Sequence, residues 1–377
     1  MLSLELKLNR SQVSDELLAR YADEETVDDS RFEDESQLKP EMVPGNISLP
    51  ASSEIAETGI VSGQLLNISS TVLYILVGFI SFFGIVFNAI NIIIFFKQGF
   101  KDTVNISLLV LAVSDMLSSL ALLWLSVCYN PWYAKADLPF DLQSVAYLTG
   151  GWPHLCLARI SGWITAFVTF ERCLCIALPL KVKAIITPRR TIYALVGIYF
   201  SMVATVAPVF YSIRLEPKYL PMINETKIVM VYVANGIVIE NVFTSVNIFS
   251  QFASFSAVIV CTAILVQNLL RNSKWRQSTS SCVKQESVSN RDKKVINMII
   301  FISCIFIICY LPSIVNLIVM IAYPAYDIGG RYHNLCVLIW AFLKPLEGVN
   351  SSVNIFVYFS MSSKYREILD RMLKRND

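Results

Sequence analysis

Ionisable side chains interrupt the long apolar runs of this sequence: Asp115, His154, Arg159, Glu171, Arg172, Lys344 and Glu347. A charge held in hydrocarbon is costly, so it is paired, faces water or meets a ligand. Arg159 and Glu347 could therefore form an ion pair, line a substrate path or receive a bound molecule. Covalent and metal chemistry finds no footing. There is no phosphate-binding glycine loop, no nucleophile triad and no metal-spaced His/Cys set, and the chain has only 2 histidines. A protein that is not an enzyme is expected.

The elements that must position these groups are membrane helices. Of 377 residues, 55% are hydrophobic and 16% charged, against roughly 25% charged in a soluble domain, which excludes a disordered chain, a coiled coil and a typical cytosolic enzyme. Seven apolar stretches, at about 71–96, 104–128, 144–177, 190–213, 240–270, 293–323 and 333–359, are each long enough to cross a bilayer. They are continuous rather than alternating, which predicts an all-α membrane bundle instead of a barrel. Three domains follow: an acidic, disordered arm over 1–70, the seven-helix bundle over 71–359, and a short amphipathic helix with the tail over 360–377.

The net charge of +2 conceals an asymmetry. Residues 1–70 hold 14 acids and 5 bases, so the apolar remainder is basic. Its bases alternate in density between successive loops, 18 on one side and 5 on the other. Cytoplasmic loops retain positive charge, so the acidic N-terminus is predicted outside and the C-terminus inside a plasma membrane. Glu5 and Lys7 break the apolar stretch that a cleaved signal would need, so none is expected. The sequons at Asn9, Asn46, Asn67 and Asn224 share the predicted outer face, the pattern of a glycoprotein. Clustered bases between apolar runs point to membrane lipid as a partner and away from nucleic acid. After the last span Tyr365, Ile368, Leu369, Met372 and Leu373 keep one helical face while Lys364, Arg366, Arg371 and Lys374 fill the other, which reads as an interfacial helix.

The polar residues within spans form an ordered set. Span one has Gly84-Ile-Val-Phe-Asn88, span two Leu111-Ala-Val-Ser-Asp115, span three Glu171-Arg172-Cys173, span six Phe306-Ile-Ile-Cys309-Tyr310-Leu-Pro312, and span seven Asn354-Ile-Phe-Val-Tyr358. Together these resemble the rhodopsin-like, class A family of G-protein-coupled receptors, in particular the neuropeptide and chemosensory receptors of invertebrates.

The resemblance implies an allosteric sodium ion held by Asp115, Ser161, Asn350, Ser351 and Asn354, and no other cofactor. The alternative is a hydrogen-bonded polar core without an ion. It implies an activation switch in which Arg172 pairs with Glu171 or Asp292 and is released when span six swings about Pro312, with Asn354 and Tyr358 completing the set. Asp292 could equally be a solvated loop charge. Departures from the family pattern are equally specific. Its usual disulfide from span three to the second outer loop cannot form, because the matching residue is Tyr147 and residues 212–239 contain no Cys. Cys128 and Cys336 lie near the outer surface, either bonded to each other or as buried thiols. Tyr310 replaces the usual Trp, and Ile355 the usual Pro.

The ligand site implied by these helices comprises His154, Arg159, Tyr310, Lys344 and Glu347. His154 stands where amine receptors carry Asp, and Gly348 where opsins carry Lys, which disfavours both ligands. A peptide with an acidic group or terminal carbonyl could take a charge-assisted bond from Arg159 or Lys344. Alternatively Arg159 pairs with Glu347, or Lys344 snorkels outward. The expected function is transduction of an extracellular ligand, a neuropeptide, into heterotrimeric G-protein activation, with arrestin and a receptor kinase as further partners. Ser278, Thr279, Ser280 and Ser281 offer such a kinase a target in the third inner loop. The alternatives are a chemosensory receptor for a small molecule and, in a different class, a transporter or channel.

Overall fold

The computed structural model describes residues 60–130, 133, 138–178, 181–220, 224–278, 290–327 and 330–374, without the side chains of 183 and 272–293. The arm through residue 59, the sequons at Asn9 and Asn46, the Ser278 to Ser281 side chains and that of Asp292 lie outside the described residues.

Apolar residues with self-satisfied backbones give long helices: α1 (Gly63–Gln98), α2 (Thr103–Cys128), α3 (Leu142–Ala177), α4 (Pro188–Ser212), α5 (Gly236–Ser278) and α6 (Asn290–Ala322). Each of the six is long and apolar enough to cross a membrane. The seventh span is interrupted at Val353 into α7 (His333–Ser352) and α8 (Asn354–Met361), and α9 (Ser363–Lys374) follows. Helix starts have local causes. Asp102 caps α2 by accepting from the Val104 amide at 3.1 Å, and Asp141 caps α3 by accepting from Ser144 at 2.7 Å. At α4 the Thr187 hydroxyl accepts from Arg190, and Pro188 opens the first turn.

The contacts divide the chain into two units. The smaller contains the end of α6 from Ile318 and the turn to Cys336. Here Tyr332 N–H donates to the Ala325 carbonyl at 3.0 Å, and the Asn334 amide donates to the Val61 carbonyl at 2.9 Å. The larger unit, Gln64–Leu317 with Val337–Asp377, is the helical bundle. In it α3 is central, packed on α2, α4 and α5. Polarity is inverted relative to a soluble core: Phe200 is 76% and Phe249 75% exposed, while Asn88, Asp115 and Ser161 are buried. That arrangement suits lipid as the outer solvent.

Three features differ from the expected elements. α1 begins at Gly63 rather than at 71, because Gln64–Ser70 contains no Gly or Pro and an established helix extends at little cost; the boundary of the arm moves accordingly, and Asn67 sits exposed in a helix. α5 continues past 270 to Ser278 for the same reason. The fold is also not purely helical. Ile213–Leu220 (β1) and Glu225–Tyr232 (β2) pair antiparallel, with Ile213 opposite Tyr232 and Leu220 opposite Glu225. Ile228, Val229, Val231 and Tyr232 carry the β-branched and aromatic character that favours a strand. Asn224, with φ of 55°, supplies the left-handed residue next to β2. β2 is flanked on its other edge by residues 139–141: Asp141 N–H donates to the Ile228 carbonyl at 2.8 Å and Ile228 N–H to that of Pro139 at 2.9 Å.

Candidate functional site

In the half of the bundle that bears the hairpin, α3 and α7 bring charged groups together. His154 is 1% and Glu347 5% exposed. Glu347 Oε2 lies 2.8 Å from His154 Nε2 and accepts from Lys344 Nζ at 2.8 Å. A carboxylate only accepts, so the imidazole proton resides on Nε2, and the Nδ1 of a neutral ring accepts from the Ser118 hydroxyl at 2.9 Å. Lys344, one helical turn from Glu347, also lies 5.8 Å from the Trp340 ring centre. Arg159 is buried beside this set, and its Nε has no hydrogen-bond partner. Tyr310 is fully buried, 4.6 Å from Phe306 between ring centres. Of the alternatives open in the sequence, Glu347 pairs with His154 and Lys344 rather than with Arg159, and Lys344 turns inward.

Midway along the bundle, Asp115 Oδ1 accepts from the Ser161 hydroxyl at 2.8 Å and Oδ2 from the Asn354 amide at 3.0 Å. Asn350 and Ser351 are buried, but Ser351 Oγ donates to the Glu347 carbonyl at 3.3 Å instead of facing Asp115. The donor chemistry fits a sodium ion at Asp115 and Ser161, which offer hard oxygens. Asn354 presents its amide nitrogen, which braces the carboxylate and adds no ligand.

From there a run of neutral polar groups links α1 to α9. Asn88 Nδ2 donates to the Ser351 carbonyl at 2.6 Å, Asn91 Nδ2 to Asn88 Oδ1 at 3.2 Å, and the Tyr365 hydroxyl to Asn91 Oδ1 at 2.6 Å. Burial pushes the Tyr365 phenol up, which keeps that proton in place. Tyr365 is thus fully buried and ties α9 to α1, while Leu373, expected on the same apolar face, is exposed. Asn91 lies three residues after Asn88, on the same helix face, a spacing that marks the pair within an apolar run.

The expected switch residues are placed differently from one another. Glu171 receives hydrogen bonds from Thr191 at 2.9 Å and Ser107 at 3.5 Å, not from adjacent Arg172, because consecutive helical residues point apart. Arg172 Nε is buried without a hydrogen-bond partner. Thr169 on α3 and Ser303 on α6 share a hydrogen bond of 2.9 Å. Pro312 lies inside α6. Tyr358 is buried, with its ring 5.0 Å from Phe95 and its hydroxyl unpartnered.

Tyr147, at the position of the absent half-cystine, lies in a π-helical turn (Tyr147–Gly151) at the start of α3 and donates to Glu240 on α5. Tyr232 at the end of β2 also hydrogen-bonds Glu240, and burial followed by that bond pushes its phenol up. Cys128 and Cys336 are each buried, and neither is in a disulfide. Asn224 is exposed beside the hairpin turn, its Oδ1 accepting from the Tyr219 hydroxyl at 2.6 Å. Ser118, Asn91, Thr191 and Glu240 complete these sites; each is a polar residue in or at the edge of an apolar run, and only folding reveals its partner.

The bundle has counterparts among known proteins. The chain is 25% identical over 290 residues to Neuropeptide receptor 22 of Caenorhabditis elegans, covering 74% of this chain and 63% of that protein, a little under two thirds of its length. It is 22% identical over 319 residues to the Galanin-like G-protein coupled receptor npr-9 of the same organism, covering 77% and 70%. The Allatostatin-A receptor of Bombyx mori is 24% identical over 322 residues, covering 81% and 80%. Residues 74–376 match the family described as Serpentine type 7TM GPCR chemoreceptor Srw, from α1 through α9. On that match and on the polar motifs that the helices carry, the chain belongs to the Srw family and is a rhodopsin-like G-protein-coupled receptor similar to those of invertebrates.

Proposed function

We propose that this receptor converts binding of an extracellular neuropeptide into activation of a heterotrimeric G protein. The observation that carries the reading is the buried cluster of His154, Lys344, Glu347 and Arg159 in the hairpin half, a set of groups that is expensive to hold within membrane helices. The names of the relatives support a peptide as the ligand. The family's description as chemoreceptors favours a second reading, a small-molecule chemosensory ligand at the same cluster.

In this proposal the hairpin end faces outward and α9 lies against the inner leaflet of the plasma membrane. Asn67 and Asn224 are acceptors for glycans. Asp115 and Ser161 hold an allosteric sodium ion, which supplies a positive charge beside the central carboxylate. Arg172 meets the G protein when α6 moves, ligand binding shifting an equilibrium between two states; arrestin and a receptor kinase terminate the signal.

A peptide library screened on cells expressing the chain, with calcium and cAMP as readouts, tests this. A response abolished by Arg172→Ala with surface expression retained is expected. Ligand-driven ion or solute flux that persists in the variant without a G-protein response would overturn the reading.

A further inference from the structure

The buried cluster contains one cation more than its internal pairs use. Glu347 carries the hydrogen bonds of both His154 and Lys344, so its charge is matched by the Lys344 ammonium. Farther along the chain of contacts, Asp115 is held by Ser161 and Asn354 and makes no hydrogen bond with Arg159. Arg159 is left over. Its side chain is more than nine-tenths buried, its Nε is enclosed without a partner, and its guanidinium makes no hydrogen bond among the described residues. An enclosed Nε–H and a positive charge held in this way are unfavourable unless an acceptor arrives from outside the protein. Lys344 is the competing cation, but it already has its carboxylate at 2.8 Å.

Resting on the receptor reading above, we propose that Arg159 is the docking point for a terminal carboxyl-derived group of the ligand, a carboxylate or its primary carboxamide. The fork of a guanidinium matches a planar group with accepting oxygen, and a carboxylate forms two parallel bonds with it. A single unmatched charge suits a monoanion or a neutral acceptor; a phosphate dianion would leave a negative charge buried in its turn. Glu347, on the facing helix, already balances the charge of Lys344, which leaves Arg159 as the cation without a carboxylate partner. The arrangement also explains why the cation is kept unpaired in the free protein, where it weakens the fold.

The test uses purified full-length receptor in detergent and two probes that mimic the ends of chains, N-acetylphenylalanine and N-acetylphenylalaninamide, read by thermal unfolding. At least one probe is expected to raise the unfolding temperature of the wild type, and which one does so distinguishes an acid from an amide terminus. Arg159→Gln is expected to lose that response, with half-saturation weakened by about tenfold or more, and to unfold at a higher temperature than the wild type without probe. Arg159→Lys, which retains the charge without the fork, gives an intermediate response. Equal shifts in wild type and Arg159→Gln, or no shift with either probe in the wild type, would overturn the proposal. Because no G protein enters the measurement, failure here is separable from failure of the signalling assay with Arg172→Ala.

Discussion

The two halves of the bundle solve the same problem, polar groups in a hydrocarbon solvent, in opposite ways. In the hairpin half three charged groups, Glu347, Lys344 and Arg159, gather around the His154 imidazole. In the half that bears α9 most of the buried groups are amides and hydroxyls, Asn88, Asn91, Tyr365, Thr169 and Ser303, and the buried carboxylate, Glu171, is held by the hydroxyls of Thr191 and Ser107 rather than by a cation. Charged pairs are strong and intolerant of losing a partner, whereas neutral hydrogen bonds exchange at small cost. A charged site therefore suits capture of a ligand. One held mainly by hydroxyls and amides suits helices that must slide and re-form their contacts. Asp115 lies at the boundary, a carboxylate held by a hydroxyl and an amide.

Substitutions can break this contrast. The largest effect is expected from Glu347→Ala, which strands Lys344 and His154; removal of one partner from a buried charge pair costs about 3–5 kcal/mol. Surface expression and the unfolding temperature of the purified protein should both fall steeply, and an unfolding temperature equal to that of the wild type would make the cluster energetically idle. Next comes Tyr147→Phe, which removes a hydrogen bond to a carboxylate worth about 1.5–3 kcal/mol. Dithiothreitol, in contrast, should leave unfolding of the wild type unchanged, since no described cysteine is in a disulfide; a reductant-sensitive transition would contradict the hydrogen-bonded arrangement.

A smaller effect tests the boundary. Sodium bound at ten times its Kd stabilises by about 1.4 kcal/mol, so replacing sodium chloride by choline chloride should lower the unfolding temperature of the wild type and leave Asp115→Asn unaffected. The smallest is expected in the half that bears α9. Tyr365→Phe deletes one hydrogen bond, about 1 kcal/mol, and its signature should be altered basal G-protein signalling with little loss of expression. If Tyr365→Phe proves as destabilising as Glu347→Ala, the distinction between the halves fails.

Much of this architecture could be read from residue order. Continuous apolar runs locate the helices because lipid demands them, and costly residues such as Asp115 and Glu347 announce sites wherever they occur. Pairing could not be read. That Glu347 chooses His154 and Lys344 over Arg159 depends on the rotation of α3 against α7, to which a one-dimensional pattern is blind. Glu171 shows the same limit from close range: its neighbour in sequence, Arg172, points away, and Thr191 twenty positions on becomes its partner. The hairpin is hidden in the sequence because Arg214, Glu216, Pro217 and Lys218 break the alternation and β-propensity of its first strand.

The bond between Tyr147 and Glu240 has a kinetic consequence. A covalent tether across the mouth of a binding site holds for the lifetime of the molecule and must be installed by an oxidase. Two phenols on one carboxylate assemble unaided and part thermally, then close again. Residues 139–141 add two backbone hydrogen bonds to the edge of β2, so what holds this end of α3 to the hairpin and α5 is reversible, and no bond has to be reduced to open it.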